Sequence, residues 1–259
     1  MNDIWQSELL SKQDWLVHGT ATLAFGSTRY PNADEIDANV ENRATFLCEL
    51  GLDTSRLVVS ENVHGKIVAT VDPVLLFRVS PPHREEGSGV VVARVNDCDG
   101  LVTSLPNIPI AIKTADCLPI FIADPTTRTV AIVHAGWKGV AAGIAIEAVR
   151  VMTLNHQPRA LVVAIGPSIG SCHYAIHDER RDEMIAKTPF VSLDDFSDGR
   201  VDLRAIVVRQ LVSSGVIAKN VDAFAPCTAC HPDLLASYFL SQDASQGMLS
   251  TIAIRPTAD

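Results

Sequence analysis

Residues 113–139, KTADCLPIFIADPTTRTVAIVHAGWKG, constrain the fold more than any other part of the chain. Two apolar runs flank Asp124-Pro125-Thr126-Thr127, and aspartate followed by proline is the chemistry of a type I turn. The segment therefore reads as an antiparallel hairpin. A turn centred on Pro125 and Thr126 sets Cys117 directly opposite His134, with Cβ atoms about 4.5–5.5 Å apart. At that spacing a thiolate and an imidazole can share one metal or one proton. Register decides the matter, because a slip of one residue sends the two side chains to opposite faces. The competing reading is a cysteine and a histidine satisfied inside a core. His134 runs on into AGWKG and a helix rich in alanine and isoleucine. Glycines there let the backbone approach a ligand, and open amides at a helix start favour anions.

The rest of the chain supplies mixed elements. Residues 39–53 carry helical periodicity ending at Gly51, and residues 56–71 are enriched in β-branched residues. Residues 80–89, SPPHREEGSG, read as a loop, and residues 89–103 as strand and turn. RALVVAIGPSIG is a buried strand entering a glycine-containing loop, and NVDAFAPCTACHPD a late strand running into a polar corner. Two more helices are expected, AIHDERRDEMIAK and DLRAIVVRQLVSSG, the second capped by Asp202 and closed by Gly215. Without regular βαβ alternation the class is α+β, and no linker divides residues 1–259, so one domain is expected.

Composition narrows function. The 259 residues are 47% hydrophobic, enough for a large core, and a net charge of −9 without a Lys/Arg cluster argues against nucleic acid. No run approaches the roughly 20 apolar residues of a membrane span, and the amino terminus lacks signal-peptide features. A soluble cytoplasmic protein is expected. Its six cysteines should then be reduced, which ranks metal binding or catalysis above disulfides.

The motifs STR (27–29), ENR (41–43), NVHG (62–65), DGLVT (99–103), TADCLP (114–119), HAGWKG (134–139), IGPSIG (165–170), VDL (201–203) and CT (227–228) occur in the order seen in the YfiH-like laccase-domain family. The chain resembles that family over nearly its whole length. The family is described as multicopper polyphenol oxidase, as purine nucleoside phosphorylase with adenosine deaminase activity, and as a peptidoglycan-editing factor. The resemblance implies a four-layer α/β/β/α sandwich and a zinc held by His64, Cys117 and His134, copper being the alternative metal. Three protein ligands leave a fourth position open, as in catalytic zinc sites. It further implies a purine nucleoside and phosphate as substrates, with Arg29 and Arg43 as phosphate-binding cations and Asp116 as a proton relay or a brace for a backbone amide.

Against copper oxidation stands the absence of any His-X-His pair among eight histidines. A Cys-His hydrolase using Cys117 and His134, and a zinc protein without turnover, complete the alternatives. The chain departs from the family pattern at several places. The loop between STR and ENR is short, Asn62 replaces a glutamine, and SYFL (237–240) stands where SYRR is usual. A later Gly-Arg is also missing around Gly247-Met248. Only Cys227 of Cys227-Thr-Ala-Cys230 matches the family, and an isolated CxxC is ordinarily packed. Cys172-His173 reads as an irregular loop. His18, His83, His156, His177 and Cys48 read as structural, Cys48 on the apolar side of its helix.

Overall fold

The hairpin forms with a longer loop than its turn residues imply. In the computed structural model, which describes residues 4–31, 38–78, 83–84, 91–154 and 157–256, strands Leu118–Asp124 and Thr129–Ala135 pair antiparallel with Asp124 opposite Thr129. The Asp124 carboxylate accepts from the Thr126 N–H at 2.9 Å and the Thr127 hydroxyl at 2.7 Å. Arg128 closes the loop in the left-handed region, φ 50°. Four residues, 125–128, thus separate the strands, a length commonly built around a type I turn. His134 consequently faces Pro119 rather than Cys117. The expected direct pairing is therefore corrected by two residues, and an even shift preserves the face. Cys117 and His134 remain on one side as diagonal neighbours.

This hairpin lies in a six-stranded sheet ordered Val221–Asp222, Val162–Ile165, Leu118–Asp124, Thr129–Ala135, Gly100–Thr103 and Val68–Thr70. A seven-stranded sheet runs Ile4–Trp5, Leu16–Ala21, Met248–Ile254, Ile110–Thr114, Leu57–Ser60, Val91–Val95 and His83–Arg84. Alternate side chains of the two sheets meet in one core, with Val58, Ile110, Ile112 and Ile252 against Phe121, Ala123, Val130 and Ile132. On the far side of the six-stranded sheet, Ile120, Ile122, Ala131 and Val133 pack against Ile144, Ala148, Ile206 and Val207 of the helices. On the far side of the other sheet, Val17, Val59 and Leu249 pack against Phe46 and Leu47 of the helix Val40–Glu49. These contacts make the expected α/β/β/α sandwich.

Both β-branched stretches split where the chain changes sheet. Residues 56–71 give Leu57–Ser60 in one sheet and Val68–Thr70 in the other, and residues 91–103 divide likewise at 96–99. A third crossing, 115–117, leads into the hairpin. The helix after His134 breaks in two, Trp137–Ala142 and Ile144–Met152, at Gly143 with φ 81°. The helix Leu203–Ser213 begins as expected, with Asp202 accepting from the Ala205 N–H at 2.9 Å. The late strand is reduced to Val221–Asp222, followed by a 3-10 turn at Thr228–Cys230. Of the loop 80–89 only His83–Arg84 is described, as a short edge strand. Residues 32–37 of the shortened loop, and His156, lie outside the described residues.

His18, in the strand Leu16–Ala21, is buried and accepts the Ser7 N–H through Nε2 at 2.9 Å. Burial pushes its pKa down from 6.5 to about 4, against an opposing pull from Asp222. A histidine with a lowered folded pKa stabilises the fold fully above its unfolded value, and that contribution is lost as pH falls. We expect the chelator-treated protein to lose about 3 kcal/mol of stability across this window on account of His18. Urea unfolding at both ends of the window measures it. An equally steep loss in His18→Gln would show that the slope arises elsewhere.

Candidate metal centre

The three crossings between sheets meet at one end of the sandwich, and each brings a polar side chain there. Asp99, in the second crossing, is fully buried and organises the others. Its Oδ1 accepts the His64 N–H at 2.8 Å, and its Oδ2 accepts the Gly65 N–H at 2.6 Å. The same Oδ1 lies 2.9 Å from His134 Nδ1. His134 N–H also donates to the Asp99 carbonyl at 2.7 Å. With Nδ1–H turned to a carboxylate, the lone pair of His134 is left on Nε2, as in metal-ligating histidines. Burial works against the Asp99 charge, but His134, Gly65 and His64 together hold its pKa below the usual carboxylate value.

His64 sits in the first crossing with φ 62°, a left-handed backbone uncommon for a residue with a Cβ. The two amides bound to Asp99 hold it there. Asn62, also at φ 62°, anchors the start of the turn by donating to the Lys113 carbonyl at 2.7 Å. Cys117 ends the third crossing, and the ligand atoms of His64, Cys117 and His134 all lie within 4.8 Å of one another. The imidazole rings stand edge to face, 4.8 Å apart at an angle of 84°. A Cβ on Gly136 would lie 3.1 Å from Cys117 Sγ and 3.0 Å from His64 Cδ2, so the glycine of HAGW makes room for the group.

Burial disfavours charge on both Cys117 and His134, yet each supplies the other's counter-ion. The thiol is brought down to about 6, mainly by His134 with help from His64. The imidazolium is held up to about 9 by Cys117 and Asp99. One thiolate and two imidazoles form a donor set suited to zinc or copper, so the residues fit a metal.

Asp116, at φ 92°, holds neighbouring segments together with its carboxylate. Its Oδ1 accepts from the Thr228 and Ser237 hydroxyls at 2.5 and 2.8 Å, and Oδ2 from the Phe239 N–H at 2.6 Å. Arg29 is half-buried beside Gly247, whose Cβ, if present, would touch the Arg29 side chain at 3.0 Å. Gly247 precedes Met248, which pairs with Thr114, three residues before Cys117. Arg43 is fully buried on the helix Val40–Glu49 and donates through Nη1 to the Arg29 carbonyl at 2.9 Å. Tyr238, Phe239 and Leu240 are exposed on the short helix that Asp116 anchors.

Asp99 was absent from the sequence-derived site. The visible signal was an aspartate preceding the apolar run of DGLVT, but nothing local marked it as a partner of residue 134. Convergence of Cys172-His173 with Cys227 and Cys230 was also missed; their ligand atoms form a second group within 4.8 Å. Cys48, expected on the apolar side of its helix, is exposed, because Phe46 and Leu47 take the inward positions.

The chain is thus an α/β/β/α sandwich that gathers a His-Cys-His group where its strands cross between the sheets. Residues 19–255 match the family model described as multi-copper polyphenol oxidoreductase laccase, and the chain belongs to that family. It is 32% identical to a purine nucleoside phosphorylase of Mycobacterium tuberculosis over 222 residues, 85% of this chain and 80% of that protein. It is 30% identical to the purine nucleoside phosphorylase YlmD of Geobacillus stearothermophilus, with 98% of both chains covered. The crystal structure of YlmD superposes with a TM-score of 0.79 at 26% identity, covering 99% of this chain and 100% of that one. The Bacillus licheniformis protein YfiH superposes with a TM-score of 0.80 at 25% identity, covering 98% and 97%.

Proposed function

We propose that this chain is a zinc-dependent purine nucleoside phosphorylase, cleaving adenosine, inosine or methylthioadenosine with phosphate and deaminating adenosine in the same pocket. The observation that carries this reading is the convergence of His64, Cys117 and His134 around Asp99. The relatives named for purine nucleoside phosphorolysis supply the substrate class. Zinc, held by those three side chains, would supply Lewis acidity at its open fourth position.

The chain's own residues do the rest. Asp99 keeps a proton on His134 Nδ1 and fixes the His64 turn. Arg29 offers its guanidinium to phosphate, while buried Arg43 braces the Arg29 main chain. Asp116 is the proton relay for the departing base, which requires the Thr228, Ser237 or Phe239 donor to give way when substrate enters. None of the six cysteines is paired in a disulfide, which suits a reducing compartment, and we place the protein in the cytoplasm. No helix among the described residues is long and apolar enough to cross a membrane.

The test is product analysis with adenosine, with and without phosphate. Adenine should form only with phosphate, inosine more slowly without it, and His134→Ala should abolish both. Loss of one reaction alone would require two sites. The lowered Cys117 pKa favours a second reading, a Cys-His nucleophile. In that case Cys117 would alkylate equally well before and after chelation, whereas a metal ligand is protected until the chelator is added.

A further inference from the structure

Three cysteines outside the His64–Cys117–His134 group, Cys172, Cys227 and Cys230, converge on His173. Cys172 and His173 follow the strand Val162–Ile165, while Cys227 caps and Cys230 ends the 3-10 turn Thr228–Cys230. His173 Nδ1 lies 3.3 Å from Cys172 Sγ, 3.5 Å from Cys230 Sγ and 3.8 Å from Cys227 Sγ. Cys172 and Cys230 Sγ are 3.6 Å apart. A tetrahedral zinc with Zn–S near 2.3 Å and Zn–N near 2.05 Å has S···N and S···S edges of about 3.6 and 3.8 Å. These four separations lie close to those edges. We propose that Cys172, His173, Cys227 and Cys230 bind a zinc ion in a closed, structural site separate from the His64–Cys117–His134 centre.

The surrounding backbone is built for this cluster. Gly170 N–H donates to Cys227 Sγ at 3.1 Å, and a Cβ on Gly170 would come within 3.2 Å of Cys172 Sγ. Cys230 N–H donates to the Cys227 carbonyl at 3.2 Å, tightening the CxxC turn so that both sulfurs face one point. The two loops are joined by Thr228 N–H to the Ser168 carbonyl at 3.1 Å. Arg204 spans them as well, donating through Nη2 to the Ser168 and Pro226 carbonyls at 2.7 and 3.0 Å. Three thiolates around a dication leave one negative charge, which the Arg204 guanidinium balances.

Packing does not account for the group, since Cys172 and Cys230 are exposed and Cys227 only half-buried. Three soft thiolates and an imidazole select a tetrahedral metal over a hard cation. Four protein ligands leave no open position, which marks a structural role. That role has a target, because Thr228 beside Cys227 donates to Asp116, and Ile169 N–H donates to the Asp116 carbonyl at 2.9 Å. The clamp would hold the wall next to Cys117.

The experiment is zinc analysis of the tag-free full chain purified under reducing conditions. Cys172→Ala/Cys230→Ala should lose one equivalent of zinc relative to wild type, whatever the occupancy of the His64 centre. Its Tm should fall, and Cys230→His, which restores four donors, should retain the ion. Should the double variant fail to fold, Co²⁺ titration of Cys117→Ala reads the second site with all its ligands present. One equivalent should bind with the thiolate-to-cobalt absorption of a tetrahedral three-sulfur site. Unchanged zinc in the double variant, no such absorption, copper in place of zinc, or a Cys172–Cys230 disulfide would each overturn the assignment. Because the readout is metal content, failure of phosphorolysis leaves it unaffected.

Discussion

Cys117→Ala should weaken the metal at the His64–Cys117–His134 centre by on the order of 10²–10³-fold and extinguish phosphorolysis and deamination together. The estimate rests on the value of one ligand. A four-ligand zinc site contributes roughly 10–16 kcal/mol, so each donor supplies about 3 kcal/mol, and each 1.4 kcal/mol is about tenfold. Cys117 is the only thiolate of the set, and two imidazoles alone do not neutralise a dication. Competition with a chromophoric chelator gives the affinity, and the same samples give activity. In the metal-free wild type, the thiol pulled down to about 6 by His134 should alkylate at pH values where ordinary cysteines have become unreactive. Full metal affinity in Cys117→Ala would remove Cys117 from the ligand set.

The parts of this centre were legible in the sequence to very different degrees. The hairpin followed from local turn chemistry, and its register was wrong by two residues because Arg128 adopts a left-handed backbone that nothing in DPTTR announces. The error was harmless to the site, since a sheet alternates faces with a period of two. The sheet crossings were hidden for a different reason. A strand ending in one sheet and a strand beginning in the other look like one interrupted β-branched stretch, and only tertiary pairing separates Leu57–Ser60 from Val68–Thr70.

Arg43 shows the same limit. Its helix position was correctly read, but whether a guanidinium faces solvent or the Arg29 carbonyl depends on what packs over it. Cys172-His173 and Cys227/Cys230 are far apart in sequence, and their meeting depends on the parallel bridge between Ser168 and Cys227. What sequence reading recovers here is therefore set by contact range. Turns, caps and helix ends are local, whereas the partners of a buried polar group are not.

Asp99 is the consequence of that distinction with the most to test. Asp99→Asn should lower metal affinity about 10–100-fold, the usual effect of losing a carboxylate behind a ligating histidine. It should also destabilise the fold, because one end of the new amide is a donor. If the amide oxygen serves His64 N–H and His134 Nδ1, its NH₂ faces the Gly65 N–H that Oδ2 now accepts at 2.6 Å. A buried donor left without an acceptor costs about 1–3 kcal/mol. A role in merely holding the turn would give a metal deficit of constant size at every pH. Positioning and charging of His134 give a different signature. The imidazolium, held up to about 9 by Cys117 and Asp99, must lose its proton to bind metal, so in wild type protons compete with the ion through neutral pH. Without the Asp99 charge His134 releases its proton at lower pH, which partly offsets the weaker ligand in acid and ceases to help once both forms are neutral. The deficit of Asp99→Asn should accordingly widen as pH rises toward about 9. Chelator competition measured on both proteins across that range decides the matter, and a gap that stays constant would reduce Asp99 to a structural brace.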